Sequence, residues 1–209
     1  LVYTIIDPTV RAVLSEEAEH AGIPAVDILG PILVAVESAT GLKARLEPGV
    51  LHRLDQEYFQ RIEAVEFAVR YDDGREPRGF LEADVVLAGV SRTSKTPVSM
   101  YLAQHGIKAA NIPLLPELEP PPELFQIPSE RAIGLWIRPN LLQTIRQERL
   151  KTIGLDPDSP YGDVDRIRSE LAYAEQLFAK LGCRIVDVSN RAVEETAHKV
   201  MEMIGRGDL

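Results

Sequence analysis

Residues 83–106, ADVVLAGVSRTSKTPVSMYLAQHG, constrain the chain more than any other stretch, because they read as a strand, a phosphate-sized loop and a helix in that order. Ala83 to Ala88 is a short apolar run rich in valine and leucine, as expected of a strand buried on both faces. Gly89 ends it. Gly89-Val90-Ser91-Arg92-Thr93-Ser94-Lys95-Thr96 then has the spacing G-x-x-x-x-G-K-[ST] of a nucleotide-binding phosphate loop, with Ser94 in place of the second glycine. Serine is less free than glycine to take positive φ, so a variant loop shape is expected. Pro97 falls early in the following helix, where a missing N–H is tolerated, and Gly106 supplies the stop.

Each part of the loop has a chemical task. Successive backbone N–H groups and the positive end of the helix surround a phosphate chain. Lys95 carries charge to the outer phosphates, and the Thr96 hydroxyl is placed to hold magnesium. An ordinary polar strand-to-helix turn uses the same residue types. The buried strand before the loop and the capped helix after it favour phosphate binding, with Arg92 and Lys95 as two cations in one short segment.

Those cations stand out against a chain of 209 residues with a formal net charge of −9 and a pI near 5.0. The acidic balance argues against nucleic acid and anionic membrane surfaces as partners. A hydrophobic share of 45% and a charged share of 26% are those of a globular protein with material for one large or two small domains. No apolar stretch has the length of a membrane span, and no cationic start precedes an apolar region. Cys183 is the only cysteine, which leaves no internal disulfide and no thiolate zinc site. His20, His52, His105 and His198 are scattered without metal-ligand spacing. The expected compartment is the cytoplasm, or the plastid stroma for a plant source.

Taken in order, Val2 to Ile6 reads as a buried strand, Asp7-Pro8 opens a helix to Gly22, and a second helix runs from about Asp27 to Thr40. Residues 47–53 form a turn-rich linker before a helix from about Asp55 to Arg70, on which Tyr58, Ile62, Val65 and Val69 are expected to face a core. Asp72-Asp73-Gly74 is a sharp turn with two adjacent carboxylates. Ala109 to Leu115 is a second strand of the sheet, and the prolines from Pro113 to Pro128 make an extended, stiff connection that cannot be helical, read as a crossover loop with a protein-partner surface as the alternative. Ala132 to Ile137 is a third strand. Arg138 follows at its carboxyl end, where open α/β sheets bind ligands, so it is a candidate phosphate ligand. Arg146 and Arg149, on the next helix, face either a ligand or solvent, with solvent expected. Residues 154–162, GLDPDSPYG, form a loop of the kind that closes over a nucleotide or simply connects. A long amphipathic helix reaches Gly182, and Arg184 to Val188 is a fourth strand. Asp187 near its end is a candidate magnesium ligand, with a helix-capping role as the alternative.

GVSRTSKTP followed by SMYLA, with HRLDQEYFQRIEAVEFAVRYDDG before it and IRPNLLQTIRQERL after it, resembles the pyruvate, phosphate dikinase regulatory proteins of bacteria and plants. The resemblance runs over residues 47–204. Members usually have additional N-terminal sequence, and this chain opens directly in Leu1-Val2-Tyr3-Thr4-Ile5-Ile6, so a fragment is expected. The resemblance implies an ADP-dependent serine/threonine kinase that phosphorylates an active-site threonine of the dikinase and switches it off. It also implies the reverse switch, in which inorganic phosphate removes the phosphoryl group and yields pyrophosphate. Mg2+ is the implied metal, and Asp72, Asp73 and His52 are the positions for a base or orienting group. Phosphoenolpyruvate synthase is an alternative target for the same chemistry. A small-molecule kinase with a phosphate loop and a non-enzymatic nucleotide sensor are the other readings, and a homodimer is open.

The fold expected is α/β, a mainly parallel sheet flanked by helices. Residues 83–209 form a nucleotide-binding part like that of P-loop kinases, 47–82 a connecting helix with the Asp-Asp-Gly turn, and 1–46 an incomplete N-terminal α/β part.

Overall fold

The computed structural model describes residues 1–44, 46, 56–156 and 159–207. The chain divides into two compact units, Leu1–Leu54 and Asp55–Leu209.

The first unit has strand β1 (Val2–Tyr3), helix α1 (Pro8–His20), strand β2 (Val26–Asp27) and helix α2 (Leu29–Thr40), with the two strands paired in parallel. Asp7 caps α1 by accepting from the amides of Thr9 and Val10 at 2.8 and 3.1 Å. Asp27 does the same for Leu29 and Gly30 at 3.0 Å each, which starts α2 two residues later than the apolar spacing suggests. The expected buried strand over Val2 to Ile6 shrinks to two residues with Val2 exposed, because among the described residues a two-residue ladder is all that pairs with it.

The second unit begins with helix α3 (Gln56–Arg70), a 3₁₀ turn at Asp72–Gly74 and the short helix α4 (Gly79–Glu82). Next come β3 (Val85–Gly89), α5 (Lys95–Gln104), β4 (Ala109–Pro113), β5 (Ala132–Trp136), α6 (Pro139–Thr152), α7 (Val164–Leu181), β6 (Arg184–Asp187) and α8 (Val193–Met203). The sheet has the order β4-β3-β5-β6 and every pairing is parallel. All five residues of β3 are buried, as a central strand covered on both faces requires. With the right-handed crossovers that parallel sheets adopt, this strand order places α5 on one face and α6 with α7 on the other.

Two expectations about this unit fail for identifiable reasons. On α3 the buried side chains are Ala64, Phe67 and Ala68, followed by Tyr71 just past its end; of the expected four, Val65 is partly buried while Tyr58, Ile62 and Val69 are exposed. Ala64 and Ala68 meet Ala103 of α5, and small residues let the two helices approach, so the packing stripe is rotated from the one that bulk hydrophobicity suggests. The proline-rich connection is not wholly extended either. Pro122–Phe125 forms a 3₁₀ turn, with proline at its start, where no N–H is needed.

Candidate functional site

The carboxyl ends of the parallel strands carry the site. Gly89 closes β3 at a point where a Cβ would lie 2.7 Å from the Leu135 carbonyl oxygen and 2.9 Å from Thr93 Oγ1, so only glycine lets the chain turn there. The loop then wraps around the Val90 carbonyl, which accepts from Thr93 Oγ1 at 3.0 Å and from Lys95 Nζ at 2.9 Å. Arg92 and Ser94 both have positive φ, 73° and 60°. Serine at position 94 therefore adopts the left-handed conformation that glycine would take, at a strain of about 1 kcal/mol, and the loop keeps its turn. The Lys95 ammonium is buried, and that burial pushes its pKa down to about 8 against the opposing pull of Asp73 and Asp72.

Next to the loop, the Asp-Asp-Gly turn is held in place from β4. Asp72 Oδ1 accepts from Thr96 Oγ1 at 2.8 Å and from Asn111 Nδ2 at 2.7 Å, while Asn111 Oδ1 takes the Asp73 amide at 3.2 Å. Asp73 has φ of 55° and presents its side chain to the concavity above the loop. That concavity, of about 340 Å³, is lined by Asp73, Ser91, Arg92, Ser94, Lys95 and Thr96 among others.

On the opposite side the loop is braced by buried charge. Arg146 of α6 is fully buried. It donates to Glu170 of α7 at 2.6 Å, to the Ser91 carbonyl at 3.3 Å and to the Tyr161 carbonyl at 3.2 Å. Its guanidinium lies 4.5 Å from the centre of the Tyr161 ring, and the Tyr161 hydroxyl reaches Ser91 Oγ at 3.0 Å. The expectation that Arg146 faces solvent is thus wrong. Its partner Glu170 is why a guanidinium is tolerated inside. Arg149 is exposed as expected.

The structure brings Gly89 through Thr96 together with Asp72 and Asp73. Arg138 and Asp187 stand elsewhere, at the ends of β5 and β6. The Arg138 amide donates to Ser189 Oγ at 2.9 Å, and Arg138 lines a separate concavity with Arg168 and Asn190. Asp187 accepts from the Ser189 amide at 2.8 Å and is separated from β3 by the whole of β5. His52 and the linker 47–53 lie outside the described residues.

Sequence reading missed Asn111, Arg146, Glu170 and Tyr161. A signal was present for three of them. Arg146 falls on the buried stripe of α6 between Leu142 and Leu150, Glu170 on the buried stripe of α7 beside Ile167, Leu171 and Ala174, and Asn111 in a buried strand. A polar residue in a core stripe calls for a partner.

Hydroxyl and carboxylate oxygens at Thr96 and Asp72 suit a hard cation that keeps most of its ligands from water and phosphate. Among the described residues no group of three or more His, Cys, Asp or Glu side chains is placed to hold a metal by itself. Among the same residues no helix is long and apolar enough to cross a membrane.

A parallel α/β sheet with a cationic loop and a hydroxyl–carboxylate pair at its carboxyl edge has the elements of phosphoryl-transfer machinery. The sequence profile of the kinase/pyrophosphorylase family matches residues 1–201, and the chain belongs to that family of phosphotransferase-type enzymes. A protein of Halalkalibacterium halodurans is 52% identical over 203 residues, which cover 97% of this chain and 75% of the relative. One from Shouchella clausii is 51% identical over 206 residues, 99% of this chain and 76% of the relative. One from Halothermothrix orenii is 52% identical over 204 residues, 98% and 77% respectively. All three carry the provisional name pyruvate, phosphate dikinase regulatory protein.

Proposed function

We propose that this chain transfers a phosphoryl group from ADP to a threonine of pyruvate, phosphate dikinase, and removes it again with inorganic phosphate. The observation that carries the reading is the placement of Lys95, Thr96 and Asp72 at one loop, with Asp73 open to the same concavity. The names of the relatives supply the target.

In the forward direction the threonine oxygen attacks the β-phosphorus of ADP. A P–O bond forms to the hydroxyl oxygen, the bond from the β-phosphorus to the bridging oxygen breaks, and AMP leaves. Asp73 accepts the hydroxyl proton. The backbone amides of residues 90–95 and the Lys95 ammonium hold the phosphate oxygens and meet the charge spreading over them. In reverse, an oxygen of inorganic phosphate attacks the phosphorus of the phosphothreonine, the P–O bond to threonine breaks as pyrophosphate forms, and the proton given up by the attacking phosphate returns to the threonine oxygen through Asp73. Magnesium, held by Thr96 and Asp72, would neutralise phosphate charge in both directions. A cytoplasmic setting agrees with the single cysteine and the acidic composition.

Incubating the protein with the dikinase and ADP labelled in its β-phosphate, then adding phosphate, tests this. Label on a dikinase threonine followed by release of labelled pyrophosphate is expected. Nucleotide binding without any transfer would leave a sensor instead.

A further inference from the structure

Beside the phosphate concavity, at the end of β4, lies a second and smaller one of about 150 Å³, lined by Gly74, Ile112, Leu114, Leu118 and prolines 120 and 121. The two share Asp73 and Pro113 in their walls, so they adjoin, with Asp73 at the junction. We propose that this slot receives an extended polypeptide segment of the acceptor protein, one apolar side chain filling the slot while a neighbouring hydroxyl lies at Asp73. The proposal rests on the protein-acceptor reading above and adds where the acceptor sits.

Charge separates the two concavities. Asp73 borders both; the phosphate concavity adds Arg92 and Lys95, whereas the slot adds Glu119 and no cation among its lining residues. A nucleoside diphosphate is therefore drawn to the first and repelled from the second. The slot's size matches one aliphatic side chain. In an extended segment residues two apart share a face at about 7 Å, which sets the hydroxyl at Asp73 and the apolar residue two positions along in the slot.

The wall is fixed before anything binds. Arg166 of α7 grips both carboxylate oxygens of Glu117, one of them at 2.7 Å, and the Tyr173 hydroxyl donates to the Leu118 carbonyl at 3.3 Å. Leu118 nevertheless keeps 62% of its surface exposed, an apolar side chain standing at the slot with nothing over it.

Because Leu118 is exposed, its replacement does not endanger the fold. Leu118→Glu and Leu118→Met are compared with the wild type in ADP-driven transfer to purified dikinase, and ADP binding is measured separately by calorimetry. Losing one buried aliphatic contact is worth about tenfold or more in affinity. Leu118→Glu should raise the KM for dikinase by that factor with kcat and ADP affinity little changed, and Leu118→Met should stay near the wild type. A weakened ADP affinity with unchanged dikinase KM would give the slot to the nucleoside and overturn the proposal, as would no change in either. Absence of transfer by the wild type would instead remove the protein-acceptor reading, and the slot's occupant with it.

Discussion

On the β4 flank of the phosphate loop, Asp73 and Thr96 stand at the surface and Asp72 is half-buried. On the α6–α7 flank, Arg146 and Glu170 are sealed inside. Both flanks touch the same eight residues. The first reaches the loop through a side chain, Thr96 Oγ1, and the second through a main-chain carbonyl, that of Ser91, and through Tyr161. Groups that must meet water, phosphate and an acceptor need exposure. Groups that only hold a backbone in shape gain from burial, where a hydrogen-bonded ion pair has few other partners. Variants on the open flank should therefore change chemistry and spare the fold, and variants on the closed flank should change both.

Lys95 joins the two flanks and gives the largest expected effect. Lys95→Ala should lower transfer in both directions by about a thousandfold or more, since the charge it brings to the phosphates is lost. Unfolding by urea at pH 7 should show no loss of stability, because the variant also removes a buried ammonium. The pH dependence has a definite sign. With its pKa lowered from 10.5 to about 8, Lys95 leaves the folded chain holding fewer protons than the unfolded one between those values. Its contribution to stability accordingly rises across that window, while phosphate affinity, which needs the ammonium, falls as pH passes about 8. Both slopes should vanish in the variant. Retention of the affinity slope would place the titrating group elsewhere.

Arg146→Met comes next and tests the closed flank. It leaves Glu170 with Arg166 alone, a contact at 2.9 Å with a half-buried partner, and should cost about 3 kcal/mol of stability in urea titration. Adding Glu170→Leu should recover most of that loss. Transfer should also fall through a higher KM for ADP, because the Ser91 carbonyl and Tyr161 lose their anchor. A single variant as stable as the wild type would erase the distinction between the flanks.

That distinction marks the limit of what the sequence showed. The strand at Val85–Gly89, the helix at Lys95–Gln104 and the three further parallel strands follow from apolar runs and glycine stops, because central strands in such sheets are apolar on both faces. The loop was legible from its spacing, but the variant shape expected from Ser94 is not what forms, because the serine takes the positive φ that glycine would. The Asp-Asp-Gly turn was legible as a turn, but its docking onto Thr96 depends on Asn111, a contact 39 residues away in the chain from Asp72. Arg146 with Glu170 is likewise a pairing between two helices, which neither helix reveals alone. Arg138 and Asp187 were drawn to the site by their strand-end positions, but strand order sets Asp187 on the far side of β5, and Arg138 at the end of β5 lines a separate concavity.

On the open flank, Thr96→Ala should reduce transfer about tenfold to a hundredfold in both directions if forward and reverse reactions share the loop and its metal. Asp73→Asn should act more unequally, because the proton it handles leaves the acceptor in one direction and returns in the other. Phosphorylation with ADP and pyrophosphate release with phosphate are to be measured separately in each variant. One activity lost in Thr96→Ala with the other intact would mean two phosphate sites, and the open flank would serve only one of them.

The smallest effect is expected where the two flanks meet in the backbone. Ser94→Gly restores the second glycine of the loop motif at a residue whose φ is already 60°. Relief of left-handed strain, about 1 kcal/mol, is offset by the extra freedom glycine gives the unfolded chain, about 0.5–1 kcal/mol, so stability should move by less than about 1 kcal/mol. The Ser94 side chain makes no capping bond to the helix, so none is lost, and the carbonyl that accepts from the Val98 amide stays in place. Nucleotide affinity should remain within about threefold of the wild type, since the amides that face the phosphate are unmoved. Ser94→Val, by contrast, puts a β-branched side chain at positive φ and should cost about 1–3 kcal/mol while weakening nucleotide binding. Equal behaviour of the glycine and valine variants in calorimetry and urea unfolding would show that the loop does not depend on this conformation.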